Sequence, residues 1–290
     1  MMERYLIRYF LAVVDHGNFS RAAAECNVSQ PTLSVGIAKL EEGLRTRLFV
    51  RTNQRVQLTE AGTRFLAHAR RIEREFNLAQ AAMDGSAPRP ILRLGVLSSI
   101  PGALVADAVA AARQEASAVE ILFGTERDLV SQLARGRLDL CLGLTARGGE
   151  RFEEDTLAQE GYRVVAPARH RLAARGQVAA EELAGDVMSV RRHCEVLSDT
   201  SRFFLERGVR PHFALRSTND ERVVQMVCAG LGVTVMPECY RAEGMAQLRM
   251  TGFDLVRAVG YQFAHGAEHW RVERHALLDA LRERLAQAAG

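Results

Sequence analysis

The sequence predicts a chain of two unlike parts joined by one long helix: a small all-α module closed by a two-stranded wing, then an α/β part in two similar halves. Three observations predict it. Capped, apolar-periodic helical segments crowd the first 45 or so residues, and two short strand-like runs follow them. Phe65, Ala69, Ile72, Phe76, Ala79 and Met83 then recur at spacings of 4, 3, 4, 3 and 4. Beyond residue 90, strand-like and helix-like segments alternate. With 290 residues and 48% hydrophobic composition, the chain can build two or three cores. A charged fraction of 25% excludes a disordered polymer.

Leu6, Phe10 and Val13 share one face of a first helix, which Gly17 and Asn18 stop. Ser20 is expected to cap a second, Ala-rich helix over 21–26, with Phe19 as its hydrophobic staple. Asn27 and Val28 form a tight turn. Ser29 caps a third helix, Pro31 lies in its first turn, and Leu33, Ile37, Leu40 and Leu44 recur at helical spacing. Helix, short turn and capped helix together make a helix-turn-helix. The third helix offers Gln30, Thr32, Ser34 and Val35 near its N-terminus, where side chains reach base edges in a major groove. Residues 48–51 and 55–58 read as the two limbs of a wing, each with an arginine, Arg51 and Arg55.

Thr59, Glu60, Ala61 and Gly62 open the long helix, whose apolar positions form an a/d heptad seam suited to a second chain. Residues 85–90 form a Gly- and Pro-containing hinge. Then come strands over 92–96, 120–123 and 138–144 with helices over 103–113 and 128–134, a repeated β-α grammar that predicts a parallel sheet. The same grammar resumes with strands over 162–166, 187–190, 213–216 and 233–236 and helices over 196–206 and 221–229. Gln262 stands near a last strand, and 270–287 forms a closing helix that buries Val272, Leu277, Leu278, Leu281 and Leu285. The expected divisions are 1–59 for the winged module, 60–84 for the helix, 85–90 for the hinge and 91–290 for the rest. Within the last, subdomain I takes 91–161 and 265–290, and subdomain II takes 162–264.

The net charge of +3 is unevenly placed. Residues 1–84 hold 12 basic and 9 acidic side chains, whereas 85–290 hold 26 of each. The excess positive charge therefore sits in the first segment, where it suits a phosphate backbone. The N-terminus shows no secretory pattern, and the most apolar later stretch, 94–106, is too short and broken to span a bilayer, so a cytoplasmic protein with no membrane partner is expected. Cys26, Cys141, Cys194, Cys228 and Cys239 show no C-x-x-C pair or metal spacing and are expected as free thiols. No nucleophile elbow, dinucleotide fingerprint or P-loop is present, which argues against an enzyme and against a cofactor. His265 and His269 are four apart but lack a third ligand, and they read as surface residues.

Several runs together resemble the LysR-type transcriptional regulators. In the first 62 residues these are Phe10-Leu11-Ala12-Val13-Val14, Phe19-Ser20-Arg21-Ala22-Ala23, Val28-Ser29-Gln30-Pro31-Thr32-Leu33-Ser34, Leu40-Glu41-Glu42, Leu48-Phe49-Val50-Arg51 and Leu58-Thr59-Glu60-Ala61-Gly62. Gly136-Arg137-Leu138-Asp139, His170-Arg171-Leu172-Ala173 and Gly230-Leu231-Gly232-Val233 extend the likeness over nearly the whole chain. Three departures stand out. Val35 and Gly36 replace longer polar side chains, implying apolar contact or backbone approach to DNA. Arg45 replaces the glycine that closes the recognition helix, implying a displaced helix end. Arg171 replaces a proline.

The resemblance implies an N-terminal all-α winged helix-turn-helix plus long linker helix, and a C-terminal α/β periplasmic-binding-protein-like effector domain of two subdomains. It implies a sequence-specific, non-enzymatic transcriptional regulator acting as a homodimer or homotetramer on double-stranded DNA with dyad symmetry, with RNA polymerase as a further partner. The expected DNA-contacting residues are Ser20, Arg21, Ser29, Gln30, Pro31, Thr32, Ser34, Val35, Lys39, Arg51 and Arg55. Phe65, Ala69, Ile72, Phe76, Ala79 and Met83 form the expected dimer seam.

A small-molecule effector, an organic anion, is expected between the subdomains, where strand C-termini meet helix N-termini. Ser98, Ser99, Thr125, Glu126, Thr145, His193, Cys194, Ser217 and Thr218 stand at such corners, although these residue types also cap helices. Glu126 suits an anion only if an arginine such as Arg147 or Arg191 neutralises it. Two alternatives stay open. Arg191, Arg192 and His193 precede Cys194 and would lower its pKa, which suits a thiol-based redox sensor, although 199–205 holds no partner cysteine. A small-molecule receptor without DNA function would share the α/β shape.

Overall fold

The computed structural model describes residues 2–51, 56–83, 91–112, 118–147 and 152–288. Helices α1 (Arg4–His16), α2 (Phe19–Glu25) and α3 (Gln30–Leu44) are followed by antiparallel strands β1 (Phe49–Arg51) and β2 (Val56–Leu58). Local chemistry sets these boundaries. Gly17 closes α1 in the left-handed region, and Asn18, rather than the expected Ser20, caps α2 by accepting from the amides of Ser20 and Arg21. Ser20 therefore lies inside the helix. Asn27 takes a positive φ in the turn, Ser29 accepts from the Thr32 amide, and Pro31 occupies the first turn as expected. The helix is not displaced at its end: α3 runs to Leu44, and Arg45 itself adopts the left-handed conformation. Leu6, Phe10, Val13, Leu33, Ile37, Leu40 and Leu48 make the core.

Helix α4 (Glu60–Met83) has the expected length, but half of its expected seam faces its own domain. Ala69 is fully buried in this core, the Phe65 ring lies 5.0 Å from that of Phe10, and Ile72 packs against the same cluster. Phe76, Ala79 and Met83 are exposed. A helix over a small module must first cover that module, so the early heptad positions are spent within the chain. The hinge residues 85–90 and Arg55 lie outside the described residues.

The C-terminal part comprises β3 (Leu92–Leu97), α5 (Gly102–Ala111), β4 (Val119–Gly124), α6 (Glu126–Ala134), β5 (Leu140–Thr145) and β6 (Glu153–Pro167). It continues through β7 (Gln177–Val178), β8 (Val187–Arg191), α7 (Leu197–Glu206), β9 (His212–Ser217) and α8 (Asp220–Cys228). Strands β10 (Thr234–Pro237), β11 (Met245–Met250) and β12 (Val256–Phe263) and helix α9 (Ala276–Ala288) complete it. Among the described residues, the sheet order is β4-β3-β5-β12-β6-β11-β7, with β10 also on β6.

The sheet is mixed rather than parallel: β3, β4 and β5 are parallel, whereas β12 runs antiparallel to β5 and to β6. Strand β6 passes from one half to the other. Residues 153–161 pair with β12, and 162–167 pair with β10 and β11. Strand β12 pairs with β6 from Val256 to Phe263 and with β5 from Ala258 to Phe263, so it extends the sheet of the first half ahead of the expected residue 265. The closing helix is also shorter than expected. A 3-10 turn at Glu268–Arg271 precedes α9, and Val272 between them is 86% exposed instead of buried. Each half has its own apolar core, around Leu94, Leu140 and Leu281 in one and Val164, Leu183 and Val235 in the other. Among the described residues, no helix is long and apolar enough to cross a membrane.

Candidate functional site

The first candidate surface is the outer face of α3. Leu33, Gly36, Ile37 and Leu40 turn inward, which leaves Gln30, Pro31, Thr32 and Val35 exposed and Ser34 half-buried. Val35, at 69% exposure, is an apolar side chain presented outward. Gly36 is not available to a groove: a Cβ there would meet the Tyr9 ring at 2.6 Å, so this glycine serves the close packing of α3 on α1. Ser29 and Thr32 are partly spent on one another, their hydroxyls 2.7 Å apart. Ser20 and Arg21 are exposed on α2. Lys39 is exposed, but its Nζ donates to Glu3 at 2.8 Å and to the Tyr5 hydroxyl at 3.3 Å. Arg51 lies at the end of β1, opposite Val56. The face is thus a helix with a polar N-terminal turn beside the exposed Arg21, a shape that a major groove accepts.

The second candidate site lies between the subdomains. Its centre is Arg257 at the start of β12, a residue that no sequence pattern singles out. Arg257 donates to Glu160 Oε1 from Nε at 2.9 Å and from Nη2 at 2.8 Å. Its Nη1 reaches Ser99 Oγ at 2.7 Å and Glu195 Oε1 at 2.5 Å, and its Nη2 reaches the Ser99 carbonyl at 3.0 Å. The Tyr162 hydroxyl donates to the same Glu195 oxygen at 3.0 Å. Burial works against the charge on Glu195, but Arg257 and then Arg191 outweigh it and hold the carboxyl below its ordinary range. Ser99 and Arg257 belong to subdomain I and Glu195 to subdomain II, so this cluster spans the cleft.

A second bridge does the same. Glu221, in the first turn of α8, accepts from the Gly102 amide at the N-terminus of α5 at 2.9 Å. The anion-accepting groups that the sequence placed here are therefore filled by the protein's own carboxylates.

The other expected effector residues divide. Ser98 and Thr145 stand with Ser99 at the C-terminal edge of β3 and β5, and Thr145 is hydrogen-bonded to Thr156 at 2.9 Å. Thr125 caps α6 through the Asp128 amide. Glu126 is neutralised by Arg147 at 3.2 Å, one of the two arginines expected to do so. Ser217 is bound to Asn219 within its own loop, and Asn219 caps α8. Thr218 and His193 are exposed.

The expected lowering of the Cys194 pKa is overturned. Arg192 and His193 point to solvent, only Arg191 touches the sulfur (3.3 Å), and that arginine is already paired with Asp220. Burial then dominates and pushes the thiol up. Arg257 and Glu195 escaped the sequence because the partners named above lie 33 to 158 residues away along the chain, where no spacing rule reaches.

Comparisons with known proteins follow this division. Residues 5–63 match the model for the bacterial regulatory helix-turn-helix protein of the lysR family, and residues 85–287 match the LysR substrate binding domain. The chain is 30% identical over 236 residues to the hydrogen peroxide-inducible genes activator of Dickeya chrysanthemi, covering 80% of this chain and 77% of that one. It is 28% identical over 289 residues to the DNA-binding transcriptional dual regulator OxyR of Escherichia coli, covering 96% and 94%. A full-length OxyR from Pseudomonas aeruginosa superposes with a TM-score of 0.61 at 24% identity, covering 97% of this chain and 95% of that one, a likeness of fold.

Proposed function

The chain belongs to the LysR family of bacterial regulators, and from that membership we propose how its parts divide the work. It is a DNA-binding transcriptional regulator with an effector-binding domain. Gln30, Thr32, Ser34 and Val35 read base edges. Ser20, Arg21, Ser29, Pro31, Lys39, Arg51 and Arg55 border or hold the phosphate backbone. Phe76, Ala79 and Met83, with α4, pair two chains on a dyad-symmetric operator in the cytoplasm. The observation that carries this reading is the outward N-terminal turn of α3 on a fully packed three-helix module.

Footprinting and salt-dependent gel shifts test it. Gln30→Ala is expected to change which sequences bind. Arg51→Ala is expected to weaken all sequences alike and to lower the salt slope by about one. Equal loss on every sequence with Gln30→Ala would remove the base-reading role.

The effector domain responds by opening the bridged cleft. An anionic effector competes with Glu195 for Ser99 and Arg257 and with Glu221 for the Gly102 amide. A thermal-shift survey of small organic acids, repeated on Ser99→Ala, tests this: an acid that stabilises the parent and not the variant is the expected result. The peroxide-activator relatives favour a second reading, in which Cys194 is oxidised. The raised thiol pKa opposes it, and an unchanged response to peroxide in Cys194→Ser would end it.

A further inference from the structure

We propose that subdomain II contains a second ligand site, separate from the cleft: the cavity between α7 and the β8–β9 pair, built for a small apolar carboxylate. The cavity has a volume of about 390 Å³. Part of its lining is polar and under-satisfied among the described residues. Ser189 Oγ, Arg191 Nε and Thr200 Oγ1 are buried without hydrogen-bond partners, and all three residues line this space. Native interiors leave few such groups, so three around one cavity call for an occupant.

The occupant must accept hydrogen bonds. Ser189 and Arg191 are 3% and 2% exposed, so bulk water does not reach them. Arg191 has spent its other donors: Nη1 on the Val235 carbonyl (3.2 Å) and Cys194 Sγ, and Nη2 on Asp220. Its Nε–H has no partner and cannot act as an acceptor. No acidic side chain lines the cavity, whereas Arg210 and Arg216 stand among its lining residues. Most of the remaining wall is apolar, including Leu197, Phe204 and Val209, with Leu205 and Phe213 partly open to solvent and Ser201 and Thr234 as its polar exceptions. Water could bond the three polar atoms, but it would leave the apolar wall without a partner. A carboxylate head with an aliphatic or aromatic body satisfies both at once.

The site is not the effector cleft. Ser99, Glu195, Glu221 and Arg257 are not among its lining residues, although Cys194 borders it and the next residue bridges the cleft. The inference therefore stands apart from any effector bound at Ser99.

Calorimetric titration of the full chain with octanoate, benzoate and neutral octan-1-ol tests it. One of the acids is expected to saturate at one molecule per chain, and the alcohol to bind at least about tenfold more weakly. Ser189→Ala and Thr200→Val are each expected to weaken that acid by about three- to tenfold, while Ser99→Ala leaves its affinity unchanged. Should either cavity variant fail to fold, Leu205→Trp, at a position 58% exposed beside the opening, is expected to block binding instead. No saturation by either acid below about 1 mM overturns the proposal. So does loss of binding in Ser99→Ala with binding kept in the cavity variants, which would put the ligand in the cleft.

Discussion

At Arg45 the backbone turns through φ 53°, a conformation that costs a side-chain-bearing residue about 1 kcal/mol and costs glycine nothing. The amide of Arg45 closes α3 on the carbonyls of Glu41 and Glu42, so the turn is structurally required. Arg45→Gly is therefore expected to stabilise the winged module by about 0.5–1 kcal/mol, read from the midpoint of chemical unfolding. A lower midpoint would mean that the arginine side chain contributes more than its backbone loses.

Glu195 presents the opposite case, a residue whose charge holds elements together. Its folded pKa lies below its ordinary value of 4.5. The bridge to Arg257 thus contributes fully above pH 4.5 and is lost as pH falls through the folded value. Glu195→Gln leaves Arg257 with Glu160 as its one carboxylate and is expected to destabilise the effector domain by about 3 kcal/mol at neutral pH. The variant should also lose part of the acid dependence below pH 4.5. Thermal unfolding across pH 3 to 7 measures both, and parallel curves for parent and variant would refute the linkage.

Elements were legible where their chemistry is local. Ser29 and Pro31 announce the start of α3, and Asn27 the turn before it, because a cap is decided within four residues. The first half of β6 was missed because Glu153, Glu154 and Asp155 are poor strand formers. They are held by the β12 ladder, with Arg271 pairing with both Glu153 and Asp155. The heptad in α4 was seen correctly as a stripe and wrongly as one interface, since Phe65 and Ala69 are consumed inside the chain. The cleft cluster stayed hidden for a different reason: Ser99 was singled out, but nothing near Arg257 marks it as buried and charged.

Two buried glycines differ in what surrounds them. Gly62 lies where α4 crosses the start of the wing, and a Cβ there would meet the Leu48 carbonyl oxygen at 2.2 Å, a backbone atom that cannot swing aside. At Gly36 the obstacle is the Tyr9 ring, which can rotate. Gly62→Ala is expected to cost more than Gly36→Ala, which should itself cost about 1–3 kcal/mol by chemical unfolding. The reverse order would show that the α4 crossing yields more easily than the α1–α3 contact.

The whole molecule joins its two functions through one polar contact zone. Asp15, at the end of α1, accepts from Arg70 of α4 at 2.5 Å and from Arg137 of the effector domain at 2.9 Å. Arg70 also donates to the Arg135 carbonyl at 2.6 Å, and Arg74 pairs with the buried Asp139. Arg137 and Asp139 are two residues of the Gly136–Asp139 run that carried part of the family resemblance, so that run is where the linker helix seats on the sensor. Burial alone would raise the Asp15 carboxyl, but Arg137 and Arg70 overcome it and hold it below its usual 3.8. The seat is therefore complete above pH 3.8 and weakens as pH falls through the lower, docked value.

The Asp15 contacts are partly exposed and each worth about 1 kcal/mol or less, so the seat is a joint that a ligand can shift rather than a fixed weld. Asp15→Asn removes the charge shared by two arginines without changing shape. It is expected to leave each domain's unfolding midpoint within about 0.5 kcal/mol of the parent. It should speed amide exchange along residues 60–83 and reduce the effect of any effector on operator affinity. If exchange along α4 is unchanged while that effect persists in full, the coupling between sensor and DNA-binding module runs elsewhere.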